Sequence, residues 1–150
     1  MVVGKRQAAF SLIENLFGIF LVGMAAAIMA ATLPIANSSR ARADLLNKAT
    51  GIAEKQLELI KNAGYQNATP SKLYDLGLLD TPAPAGNGMY PFTNVDNGAY
   101  DAPSQVLPNG KGFVGITSVS ADLTEVTVLV TWNDRGKIRS VTASTFLANL

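Results

Sequence analysis

One carboxylate, Glu14, heads a stretch from Asn15 to Ser39 that carries no charge. On insertion scales an acidic side chain at mid-bilayer costs roughly 2.5–3.5 kcal/mol, and ionisable residues in membrane segments are by default tied to function. Nearer the edge of such a segment the cost falls, yet the charge still calls for a cation. The chemistry open to Glu14 is therefore ion pairing. Bond-making chemistry is poorly supplied elsewhere. The chain has no histidine and no cysteine. That removes the usual general base, the Ser-His-Asp and Cys-His nucleophile systems, and nearly all zinc sites. The expectation is a protein that is not an enzyme. Exported proteins can lack disulfides, so the missing cysteine leaves the compartment open.

Other candidate groups are weaker. Asp80, Asp96 and Asp101 fall in a segment rich in Pro, Gly and Asn. Oxygen ligands suit calcium, so the 80–112 loop holds a weak possibility of a calcium site, although the spacing matches no known calcium loop. No other cofactor and no other metal is expected. Gly110-Lys111-Gly112-Phe113-Val114-Gly115 has the form G-x-G-x-x-G. A dinucleotide fingerprint needs a strand before it and a helix after it, whereas a Pro-rich stretch precedes this one and a β-rich run follows. Asp122, Glu125 and Asp134 read as solvated surface. The charge balance is 12 basic to 11 acidic with the bases scattered, so no direct nucleic-acid binding is expected.

Glu14 must be positioned by the segment it heads. Leu16 to Leu33 is interrupted only by Gly18, Gly23 and Thr32, near the lower end of the roughly 17–25 residues that span a bilayer. Lys5 and Arg6 precede it; Arg40 and Arg42 follow. A secretory signal peptide would account for the basic start, with Ala30-Ala31-Thr32 as a small-residue cleavage site. An uncleaved single-span anchor holding a periplasmic binding module is a second reading. Neither accounts for a Glu placed four residues after Phe10.

Lys5-Arg6-Gln7-Ala8-Ala9 followed by Phe10-Ser11-Leu12-Ile13-Glu14 resembles the prepilin signal of type IV pilins and type II secretion pseudopilins. The resemblance implies a basic leader, residues 1–9, removed by a prepilin peptidase between Ala9 and Phe10. Phe10 would then be N-methylated, and Glu14 would be the fifth mature residue. The family usually has Gly before the cut, where this chain has Ala9. Assembly would rest on Phe10 and Glu14, with the partners being other pilin subunits and an inner-membrane assembly platform. The chain would wait as a single-pass inner-membrane protein with its domain on the periplasmic side. It would then enter a surface fimbrium or a periplasmic pseudopilus.

Beyond the span, Pro34 removes one backbone donor and frees the carbonyl of Ala30, so a helix break, as a kink or a locally melted turn, is expected there, after a core helix over 10–34. The globular domain is then 35–150. Leu45, Ala49, Ile52, Gln56 and Leu59 make one stripe, widened by Leu46, Ala53, Leu57 and Ile60, which predicts an amphipathic helix to about residue 62. If continuous from Phe10, that helix is ~80 Å long. Thr69-Pro70 to Gly77 reads as a short helix with cap, Pro at its start and Gly stop. From 63 to 112 the chain otherwise reads as irregular, its 79–112 part being a subunit-specific surface loop. Strands follow over 113–150. In one of them Val126, Val128, Val130 and Trp132 face one way and Thr127, Leu129 and Thr131 the other. Asn133 to Lys137 is the turn.

Val126 to Trp132 with Asp134, Gly136 and Arg139 to Thr145 resembles the C-terminal end of PilV-type minor pilins and related pseudopilins. The predicted class is α+β and type IV pilin-like: a long N-terminal helix, half of it membrane-embedded, packed on a C-terminal antiparallel sheet. The predicted role is a minor pilin or pseudopilin, with a major pilin as the alternative.

Overall fold

The structure is a computed structural model and describes residues 12–96, 98 and 101–149. The expected leader and the Ala9–Phe10 processing site lie outside these residues. The chain forms two compact units, Met1–Ala41 and Arg42–Leu150. Helix α1, Leu12–Ala63, contributes to both.

Within the first unit α1 is the one element among the described residues, and the side chains described there are exposed apart from the half-buried Ser38. Helix α1 is continuous through Pro34, so the turn there is not melted. A proline withdraws a single donor from the ladder. The bonds on either side still hold the backbone helical, as they do for prolines in membrane helices.

The second unit has its own core. Its share of α1 shows the 3.6-residue period in burial: Ala49, Ile52, Ala53, Gln56 and Ile60 are buried, and Leu45, Leu57 and Leu59 are half-buried. Leu46, expected on this stripe, is 48% exposed. Gln56 lies fully inside, where its Nε2 donates to the Leu78 carbonyl at 2.7 Å, which offsets the cost of burying the amide. At Gly64 φ is +82°, and its N–H bonds back to the Ile60 and Lys61 carbonyls, closing the helix as the Gly stop predicts. Asn67 adds a side-chain bond to the Ala63 carbonyl at 2.9 Å. Helix α2, Pro70–Asp75, starts at its proline and buries Leu73; Gly77 follows at φ +70°.

Four strands form one antiparallel sheet in the order β1-β2-β3-β4: Tyr90–Pro91, Lys111–Ser120, Leu123–Asp134 and Lys137–Ala148. The period-two pattern of β3 is obeyed throughout, with Val126, Val128, Val130 and Trp132 buried. The turn after β3 is shorter than the five residues expected. Asp134 pairs with Lys137, leaving Arg135 and Gly136 as a two-residue loop, both with φ above zero (+53° and +81°). That is the backbone a type I′ hairpin requires. One hydrophobic cluster joins Ala49, Ile52, Ala53 and Ile60 of α1 to the buried face of β3, so the helix packs against the sheet. Each fully buried aliphatic side chain there contributes on the order of 1.5–3 kcal/mol.

The 79–112 segment is largely irregular and much of it is exposed, as expected, but it is not surface alone. It carries β1 and a short helix α3, Pro103–Val106, and it places Phe92, Val95, Ala102 and Leu107 in the core. Its apolar residues are spaced without period because each plugs the core from a turn rather than along a helix or strand.

Candidate functional site

The candidate site is the stretch of α1 from Leu12 to Thr32. A helix formed of Leu, Ile, Phe, Val, Met and Ala satisfies its backbone internally but leaves its side chains to find an environment. Phe17 is 65% exposed and Ile19 75%; Leu12, Ile13, Leu16, Phe20, Val22, Ile28 and Met29 are exposed as well. By length and composition the helix can cross a membrane. Thr32, the hydroxyl within the run, donates to the Met29 carbonyl at 3.0 Å, so its polar group is satisfied within the helix itself.

Glu14 lies in the first described turn of α1. Glu14, Asn15, Gly18, Ile19 and Val22 line one shallow depression along the helix, formed where Gly18 carries no side chain. The arrangement offers one carboxylate and the neighbouring Asn15 amide at the head of an apolar helix face. It can accept an ion pair and pack against another apolar helix; it holds no nucleophile or acid–base couple. The expected partner position, Phe10, lies outside the described residues.

No protein-family model, curated protein or solved structure matches this chain.

A second polar constellation lies in the second unit, where sequence reasoning placed solvated surface. Asp134 is only 9% exposed. Its Oδ2 forms ion pairs with Arg42, whose Nε is 3.2 Å away, and with Arg139, whose Nε is 3.8 Å away. The correction has a physical reason: Asp134 ends the core-facing row of β3, so the fold screens its carboxylate from water, and two cations compensate the lost hydration. Arg42 is far from Asp134 in the chain, so no local spacing could signal the pair; Arg139 faces Trp132 across the ladder, visible only once the hairpin register is known. The other two acids keep the surface reading, with Asp122 exposed and Glu125 half-buried.

The G-x-G-x-x-G run is a packing device. A Cβ on Gly110 would collide with the Pro103 carbonyl oxygen, and one on Gly112 would sit 2.6 Å from the Phe92 ring. The run opens β2 and no helix follows it. Of the calcium candidates, Asp80 accepts the Asn94 N–H with both carboxylate oxygens at 3.1 Å, while Asp96 and Asp101 are exposed. Among the described residues no three acidic side chains are grouped to hold a metal ion.

Proposed function

We propose that this chain is a structural subunit, a minor pilin or pseudopilin, of a type IV pilus-like filament. The observation that carries the reading is the split use of one helix. From Ala49 to Ile60 α1 is part of a closed core, while from Leu12 to Thr32 it presents apolar side chains that this core does not use. A filament built from such subunits packs the second kind of surface, copy against copy.

In this reading prepilin peptidase removes residues 1–9 and leaves a methylated amine on Phe10. Glu14 then lies about one turn, ~5.4 Å, along the helix from that amine. In a staggered bundle the Glu14 of one subunit meets the Phe10 amine of its neighbour. A buried ion pair contributes little net affinity but penalises any register that leaves a charge alone. The apolar faces supply the affinity. Until assembly the subunit waits in the inner membrane with its domain outside, and its work is packing rather than catalysis.

The test is N-terminal sequencing of the mature chain together with fractionation of Glu14→Ala. The expected chain begins at N-methylated Phe10. The variant should reach the membrane at the wild-type level and be missing from sheared filaments. A mature chain starting at Met1 or near Thr32, or a Glu14→Ala variant that enters filaments normally, overturns the proposal.

A further inference from the structure

We propose that the tip of the β3–β4 hairpin, together with Arg42, docks on the phosphates of an anionic lipid surface. The inference rests on the reading that α1 holds the chain in a membrane.

The tip combines three features. Its charge is lopsided. Arg135, Lys137 and Arg139 follow one another around the turn, Arg42 joins them through Asp134, and the one acid among them is buried. The nearest acid on α1, Asp44, is already paired with Lys48 at 2.9 Å. Four to eight bases close to a membrane helix are the composition that anionic headgroups attract.

The site is also built in advance. Arg42 and Arg139 are each about half exposed, yet both are held by a carboxylate that is itself nine-tenths buried. The ion pairs use Nε of each guanidinium, which leaves the terminal nitrogens of both for a second acceptor. A guanidinium fork matches phosphate oxygens, and ordering it beforehand lowers the entropic cost of gripping them. Both arginines line one cleft with Leu46, Trp132 and Ser140.

The third feature is apolar. Ile138 lies between Lys137 and Arg139 in the chain but, opposite Asn133 in the ladder, projects from the other face of the hairpin; it is 82% exposed. If the tip enters edge-on, with the bases on one face and this aliphatic side chain on the other, both reach the headgroup–acyl boundary, where the bases meet phosphate and the alkyl group leaves water. The Leu46 side chain, displaced from the core stripe, opens on the same cleft. In the chain Arg42 stands only three residues past Ser39, where the uncharged run ends.

The chain lacks cysteine, so Ile138→Cys gives a single labelling site. The full-length labelled protein is reconstituted into phosphatidylcholine vesicles and into vesicles that also contain phosphatidylglycerol. Depth is read by quenching from headgroup-labelled lipid. The expected result is a blue shift and strong quenching only with phosphatidylglycerol, lost at ~1 M salt where the Debye length falls to ~3 Å. Arg42→Gln with Arg139→Gln should abolish the response. Because that pair also strips Asp134 of its cations, Arg135→Gln with Lys137→Gln, which leaves both ion pairs in place, serves as the second variant and should lose most of it. Equal signals in the two lipid mixtures, an unchanged response in the second variant, or a response that follows protein density rather than phosphatidylglycerol overturns the proposal. Protein that carbonate extracts from both vesicle types overturns the membrane-subunit reading instead, and the phosphatidylglycerol response still decides the lipid contact.

Discussion

The two stretches of α1, Leu12–Thr32 and Ala49–Ile60, share a backbone conformation and differ in everything their side chains meet. In the second stretch the apolar residues recur at helical spacing, and the polar side carries Glu54, Lys55 and Glu58. Its apolar face is buried and its charged face solvated. In the first stretch apolar residues occupy every side, so no face is left for water. A helix that is apolar all round belongs to a core or to a membrane, whereas one with a single apolar stripe lies on a surface. Helix propensity alone cannot distinguish the two, because Ala, Leu and Met favour helix in both. What separates them is the angular spread of the apolar positions.

The sharpest way to break this contrast is to truncate one apolar side chain in each stretch. Ile60→Ala removes a fully buried side chain and should cost the second unit ~2–5 kcal/mol. Phe17→Ala should leave that unit's stability within ~0.5 kcal/mol, since an exposed side chain away from the core carries little of it. Urea unfolding in detergent, followed by the fluorescence of Trp132, measures both. Equal losses in the two variants would mean that the first stretch belongs to the folding unit after all.

A smaller effect sharpens the claim that the second unit closes its core without the first. Gly112→Ala brings a methyl group against the ring of Phe92, itself fully buried. The neighbour is an aromatic ring locked in the core, not the end of a flexible chain. Overpacking there should cost ~1–3 kcal/mol in the same unfolding assay. A neutral result would show that the 79–112 segment can move away from the sheet.

That segment marks where the sequence was hardest to read. The amphipathic helix and the β3–β4 hairpin were legible because each repeats a period, 3.6 or 2, over many residues. Gly64 and Gly77 were legible as helix stops because only a positive φ was needed. Phe92, Val95 and Leu107 obey no period, and the prolines and glycines around them mimic a solvent loop. The Asp134 cluster was invisible for another reason: its partner Arg42 comes from a distant part of the chain, and only the packed fold brings them to 3.2 Å. At Pro34 the melted turn is absent because a helix can absorb the loss of one donor. Of the first stretch, Glu14 and the uncharged run were legible at once, because a single carboxylate before such a run stands out in composition alone.

The smallest expected effect lies at the hairpin tip and contrasts the second unit's needs with those of its surface. Arg135 holds φ at +53°, in the left-handed region that costs an L-residue ~1–2 kcal/mol and that Asn tolerates better. Gly136 follows it, so Arg135→Asn creates the Asn-Gly pair favoured in type I′ turns. Asn133 already supports the loop by accepting the Gly136 N–H at 2.7 Å. The substitution should therefore stabilise the unit by ~0.5–1 kcal/mol in urea. If Arg135 is there for its charge, the same variant is steadier in solution and weaker on phosphatidylglycerol vesicles. A variant that gains stability and loses no lipid response would leave the arginine as a turn residue without a surface role, and the docking tip would reduce to Lys137, Arg139 and Arg42.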